Sequence, residues 1–219
     1  MKVLILGMDG YIGWGLAMSL AKAGNEVSGV DNFSRRDFVG EMNSHSALPL
    51  KSMDERLSSF EAEFGGKIEF CEGDLRDYDF VEDVLKKYEP DSIVHLGEQP
   101  SAPYSQIDVN HAAFTQTNNV TGTLNVIFAL HKVVPEAHLL KLGTMGEYGT
   151  PNIDIAEGFF DIEYKGRKDT LPFPKQPGSW YHCSKVHDTI NIALACRIWG
   201  IRSTDIMQGV VYGTRTDEI

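Results

Sequence analysis

The sequence predicts an α/β domain built on a doubly wound, parallel sheet. Three observations predict it. Short apolar runs recur along the whole chain, segments of helical periodicity separate them, and the glycines Gly7, Gly10 and Gly13 join the first run to the first helical segment. Parallel neighbours need crossover connections, usually helices, so this alternation favours a parallel sheet over hairpin-linked strands. One domain over residues 1–219 is expected.

The first strand is Val3 to Leu6, apolar throughout because a central parallel strand is covered on both faces. Ile12, Leu16 and Leu20 then repeat at helical spacing. A second strand runs from Glu26 to Val30 and stops at Asp31. Residues Asn32 to Gly65 are polar and read as loop, interrupted by a helix from Asp54 to Phe64. Ile68 to Cys71 is the third strand, ending at Gly73 and Asp74, and a helix with Phe80, Val84 and Leu85 inward leads to Pro90. Strand four is Ile93 to Leu96. A long helix is expected from Asn110 to Val134, with Val120, Leu124, Ile127 and Phe128 on its apolar stripe and Pro135 as its stop. Strand five is Leu139 to Leu142. Four prolines between Thr150 and Ser179 predict an irregular surface flap with a hairpin turning at Gly166. A helix from Tyr181 to Trp199 and a strand from Ser203 to Met207 complete the pattern.

Composition narrows the function. A 42% hydrophobic and 23% charged chain is an ordinary globular one. No apolar run approaches the roughly 20 residues of a membrane span, and nothing before the first strand can serve as a targeting segment, so no membrane partner and a cytoplasmic location are expected. A net charge of −11 argues against nucleic acid, whose phosphates call for clustered Lys and Arg. Cys71, Cys183 and Cys196 are too widely spaced for a zinc site or a disulfide framework and read as reduced thiols; no metal is expected.

The glycine triplet, with Asp31 at the end of the second strand, matches a dinucleotide fingerprint of the Rossmann type. Gly7 permits the turn, Gly10 lets backbone amides approach a pyrophosphate at the helix N-terminus, and Gly13 lets helix and strand pack closely. Asp9, Tyr11 and Ile12 lie in the same loop. The Asp31 carboxylate suits adenosine ribose hydroxyls and repels a 2′-phosphate, which favours NAD over NADP; Arg35 and Arg36, near Asn32 and Ser34, keep NADP open. Asp74 and Leu75 follow the third strand where an adenine would lie, with a helix cap as the alternative reading of Asp74. Tyr181 and Lys185, four apart on one helical face, form a second constellation. An ammonium beside a phenol favours phenolate, so Tyr181 is expected to remove a hydroxyl proton while hydride leaves the same carbon for nicotinamide. Thr144, after strand five, is expected to bond the same substrate oxygen.

Together with the stretches Gly97 to Ser105, Lys141 to Ile155, Asp169 to Gln176, Tyr181 to Asp188 and Gln208 to Gly213, these features resemble the extended short-chain dehydrogenase/reductases of the NAD-dependent sugar-nucleotide epimerase/dehydratase group. The similarity is greatest to those members that exchange a sugar hydroxyl for sulfite. The resemblance implies bound NAD, UDP-glucose and sulfite as substrates, and a homodimer through the two long helices. It implies oxidation at C4, loss of the 6-hydroxyl as water, addition of sulfite at C6 and return of the hydride. Related dehydratases carry an acidic pair after the Thr, where Met145 and Gly146 stand here; His182, Glu147 and Tyr181 remain as candidates for the acid and base. Leu96, Gly97, Glu98 and Gln208 are expected near the cofactor. Gln99 and Ser101, with Met145 and Gly146, are expected near the sugar. Asn119 is expected to bond backbone beside the cofactor, and Pro100 departs from the arginine the resemblance calls for. The resemblance also calls for a C-terminal substrate-binding part beyond Ile219, expected to be missing. A 4-epimerase or dehydratase, and a non-catalytic NAD-binding module, stay open as alternatives.

Overall fold

The computed structural model of the chain describes residues 1–46 and 49–212. Six parallel strands form one sheet: β1 (Lys2–Leu6), β2 (Glu26–Asp31), β3 (Ile68–Glu72), β4 (Ser92–His95), β5 (His138–Leu142) and β8 (Arg202–Ile206), in the order β3-β2-β1-β4-β5-β8. The chain starts in the middle, winds outward to β3, then crosses back past β1 to β4. The strand order thus reverses between β1 and β4, and a crevice opens there at the strands' carboxyl ends.

Alternation along β1 divides the core. Val3 and Ile5 face α1 (Tyr11–Lys22) and α3 (Met53–Phe64), packing with Met8, Ala17, Val27 and Phe60. Leu4 and Leu6 face α4 (Tyr78–Tyr88), α6 (Gly122–Val133) and α7 (Trp180–Trp199), with Val84, Leu85, Ile127, Leu130 and Ile192. Each helix end has a local cause. Ser52 and Glu55 close a capping box before α3, Asp77 caps α4 on the N–H groups of Asp79 and Phe80, and Gly200 ends α7 in the left-handed region at φ 71°.

Two expectations change. The segment read as loop contains α2 (Ser34–Glu41), a helix without a buried residue; distant groups hold it, with Phe38 packed on Tyr104 and Phe114 and Arg36 paired to Asp9. The long helix is interrupted: α5 (Val109–Gln116) passes through a π turn (Thr117–Thr121) into α6. Within α6, Val126, Ile127, Ala129 and Leu130 are buried while Phe128 lies half exposed. The hairpin expected at Gly166 is present and is regular, an antiparallel pair of β6 (Phe159–Tyr164) and β7 (Arg167–Pro172) turning at Lys165 and Gly166 with φ 52° and 72°. Among the described residues no helix is long and apolar enough to cross a membrane. The three cysteines are free.

Candidate active site

A cleft of about 570 Å³ lies along the sheet's carboxyl edge, over the β1–β4 reversal. Gly7, Gly10, Tyr11, Ile12 and Gly13 form its floor. Gly7 adopts φ 87°, and a Cβ there would come within 2.7 Å of Gly97 N, so strand ends meet only because the side chain is missing. A Cβ on Gly13 would overlap the Gly7 carbonyl. Gly10 precedes α1 with no side-chain cap, leaving first-turn N–H groups of the helix aimed at the cleft.

Asp31 stands at one end of this floor. Its two oxygens accept the N–H groups of Asp9 and Phe33, each at 2.8 Å, which fixes the carboxylate towards the cleft. Burial raises its pKa, opposed by those two amides. Asn32 donates to Asp74 at 3.0 Å, and Arg76 grips the same carboxylate at 2.6 Å and holds its pKa down. Asp74 does not cap α4, which Asp77 does.

At the other end, α7 brings Tyr181 and Lys185 against β4 and β5. Lys185 Nζ donates to Glu98 Oε2 at 2.5 Å and to the Leu142 carbonyl at 2.6 Å. It lies 6.0 Å from the centre of the Tyr181 ring. Burial pushes Glu98 up, but Lys185, His95 and Lys141 outweigh it and keep the carboxylate ionised. The expected acidification of Tyr181 is not present: burial raises its pKa, and the Glu98 charge raises it further. The physical reason is first the burial of the ring, and second that the ammonium meant to favour phenolate is paired with the Glu98 carboxylate, whose charge adds to the rise. Below this pair, burial lowers His95 to about 4, and burial together with Glu98 raises Asp188 well above the carboxylate range.

A family model for the NAD dependent epimerase/dehydratase family matches residues 3–218. The chain belongs to this NAD dependent epimerase/dehydratase family. It is 52% identical to the chloroplastic UDP-sulfoquinovose synthase of Spinacia oleracea over 217 residues, 99% of this chain and 45% of the spinach protein. It is 50% identical to the UDP-sulfoquinovose synthase of Sulfolobus acidocaldarius over 220 residues, 100% of this chain and 56% of that protein. The chain thus spans about half the length of these curated relatives. The solved UDP-glucose 4-epimerase of Thermus thermophilus, in complex with NAD, shares the fold with a TM-score of 0.71 at 24% identity, over 99% of this chain and 58% of that one.

In this epimerase/dehydratase chain most of the residues expected at the cofactor line one cleft: Gly7, Gly10, Tyr11, Ile12, Gly13, Asp31, Asn32, Ser34, Arg35, Asp74, Leu75, Leu96, Gly97, Glu98, Tyr181, Lys185 and Gln208. Gln208 Oε1 is buried there without a hydrogen-bond partner among the described residues, and so is Glu98 Oε1. Gly213, the last residue of the Gln208 stretch, lies outside the described residues. Ser101 also lines the cleft, as does Pro100.

The other expected residues do not line it. Asp9 turns its side chain away, onto Arg36 and Arg56. Asn119 is fully buried in the π turn, where it accepts from Gln99 N–H at 2.8 Å and donates to the Gln99 carbonyl at 3.1 Å and to Ser184 at 2.9 Å; its neighbour Asn118 faces the cleft instead. Gln99 is fully buried and donates to Thr115 at 2.8 Å. Thr144 caps the turn Met145–Glu147, accepting from Gly146 N–H at 3.2 Å, and Met145 is exposed outside the cleft. His182 packs over Gly146, where a Cβ would overlap its ring, and burial lowers its pKa. Glu147 is fully buried, paired to Lys175 and accepting from Thr189 at 3.0 Å, which removes it from proton transfer in the cleft. The sequence reading passed over Lys141. This lysine is fully buried, reads as an ordinary strand residue, and donates to the Lys185 carbonyl and to Thr189, each at 3.1 Å. Phe38, Ala102, Pro103 and Leu142 also line the cleft, and no local pattern marks them.

Proposed function

We propose that this chain holds NAD and carries the hydride-transfer residues of an enzyme making UDP-sulfoquinovose from UDP-glucose and sulfite. The observation that carries this reading is that half of all residues are identical to two UDP-sulfoquinovose synthases along the whole chain. The cleft fits the cofactor: amides at the α1 N-terminus for a diphosphate, the Asp31 carboxylate for ribose hydroxyls, and the unpartnered oxygens of Gln208 and Glu98 near Lys185. When bound, NAD supplies the hydride acceptor for C4 of the sugar and later returns the hydride. Tyr181 Oη exchanges the proton of the C4 oxygen. Burial and Glu98 keep that proton on the phenol at rest, so work as a base requires added positive charge beside the ring. With C4 as ketone, the C5 proton is acidified, the 6-hydroxyl leaves as water and sulfite adds at C6. A carbon–sulfur bond replaces a carbon–oxygen bond, with no net oxidation of the sugar.

The same proposal includes a homodimer over the apolar residues exposed on α6 and α7, Phe128, Ile190, Leu194 and Ile198. We assign it to a reducing compartment such as the cytoplasm; the spinach relative is named chloroplastic. A second reading, a UDP-sugar 4-epimerase, is favoured by the tying-up of Glu147 and the position of His182 outside the cleft. It needs no acid for water loss.

Titrating the chain with NAD, then adding UDP-glucose with and without sulfite, tests both readings. NAD binding is expected of this chain; NADH formation and a sulfite-dependent product are expected only where the substrate-binding part that the resemblance calls for is joined to it. Tyr181→Phe should keep NAD affinity and form no NADH. UDP-galactose made without sulfite would move the assignment to the epimerase, and absence of NAD binding would overturn both.

A further inference from the structure

The adenosine end of the cleft carries more positive charge than a site for an unphosphorylated ribose needs. Arg35 lines the cleft, while Arg36 and Arg56 stand just behind the glycine turn. Both of the latter feel the Asp31 carboxylate, which is the group facing the ribose. A guanidinium fork is the side chain best matched to a phosphate, so two of them beside Asp31 would recruit a 2′-phosphate if they were free. They are not free. Asp9, between Gly7 and Gly10 and only 4% exposed at its side chain, accepts from Arg36 Nη2 at 2.7 Å and Nε at 2.8 Å and from Arg56 Nη1 at 2.6 Å. Each guanidinium also has an aromatic support, Phe33 under Arg36 at 5.1 Å and Trp14 under Arg56 at 4.4 Å. The Lys51 carbonyl accepts from Arg36 at 3.1 Å.

We infer that Asp9 is a specificity-determining residue for the cofactor: by tying Arg36 and Arg56 behind the glycine turn it withholds both guanidinium groups from a 2′-phosphate and so enforces the choice of NAD over NADP. The inference rests on the reading that the cleft holds NAD. Asp9 acts twice through one residue. Its carboxylate neutralises the arginines, and its backbone N–H donates to Asp31 Oδ2 at 2.8 Å, holding that carboxylate towards the ribose. Behind the glycine turn the carboxylates of Asp9 and Asp31 balance the guanidinium groups of Arg36 and Arg56, while Arg35 in the cleft stands outside this balance. Removing the Asp9 charge leaves an excess positive charge next to the ribose.

Calorimetric titration of NAD and NADP against the chain and three variants tests this. The unaltered chain should bind NAD and discriminate against NADP. Asp9→Asn should tighten NADP by about tenfold or more, as expected for one additional charge-assisted hydrogen bond, with a much smaller change for NAD. Asp9→Asn/Arg56→Gln removes one charge of each sign, keeps the cluster balanced, and should show the same tightening through Arg36; it carries the test if the single variant does not fold by circular dichroism. Adding Arg36→Gln to that pair should abolish the effect. A folded Asp9→Asn or Asp9→Asn/Arg56→Gln protein with the original NADP-to-NAD ratio overturns the inference. So does a tightening that survives loss of both arginines, or failure of both variants to fold, which would make the cluster structural only. A chain that binds neither nucleotide refutes the cofactor reading itself, and the inference falls with it.

Discussion

Glu98 shows how one residue changes the chemistry of its neighbours. A Lys one helical turn beyond a Tyr is legible in any sequence, and its usual consequence, an acidic phenol, follows from charge proximity alone. That consequence fails because the ring is buried, and further because Glu98 arrives from the end of β4, 87 positions earlier, and pairs with Lys185 at 2.5 Å. Nothing in the spacing of Tyr181 and Lys185 could have announced it. Both members of the pair are nearly fully buried. Glu98→Gln should therefore leave a buried ammonium unpaired and cost on the order of 3 kcal/mol in urea unfolding. The same change should lower the Tyr181 pKa, because the carboxylate that opposed ionisation is gone. Titration of the tyrosine ring carbons by NMR, with Tyr181→Phe to assign the signal, would read it; an unmoved pKa would mean that burial alone governs the phenol.

At the level of elements, strands were legible and one helix was not. Each central strand is an unbroken apolar run because helices cover both sheet faces, so β1 and β4 could be located from composition alone. Helix α2 has no apolar stripe, and its contacts come from residues far along the chain: Phe38 meets Tyr104 and Phe114, and Glu41 accepts from Tyr104 Oη at 2.9 Å and meets His111 Nε2 at 3.0 Å. The His111 contact gives this junction a pH dependence. The hydrogen bond with Asp108, and then Glu41, raises the His111 pKa above its ordinary value. A raised folded value means that the contribution is complete below the unfolded value of about 6.5 and is lost as pH rises through the folded one. Both carboxylates are about half exposed, so solvent screening keeps the effect small. Melting temperature at low salt should fall as pH rises from below 6.5 into the alkaline range, and the slope should vanish in His111→Gln. An identical slope in the variant would exclude the contact as its source.

Considered as a whole, the molecule sets the cleft along the sheet's carboxyl edge apart from an appended hairpin. The parallel, doubly wound class was legible from the alternation of strands and helices, whereas the strand order was not; the glycine turn from Gly7 to Gly13 marked the sheet edge along which most of the residues expected at the cofactor line one cleft. The residues around Thr144 were not legible, since their neighbours Lys175, Thr189 and His182 come together only in the folded chain. The hairpin is tied at its base, where Phe173 packs on Tyr148 and Phe160, while every residue of β7 is exposed. Brief trypsin treatment should cut first at Lys165, Arg167 or Lys168, and the nicked chain should keep its NAD affinity. Loss of binding on nicking would show that the hairpin supports the cleft. The π turn has a further consequence. Its additional residue is what aims the Asn119 amide at both polar groups of the Gln99 peptide. Deleting one residue from Thr117–Thr121 would give a more regular helix with every bond in register, yet it would swing that amide about a quarter-turn away and unlatch the strand end that carries Glu98. Here a smoother helix would make a poorer cleft.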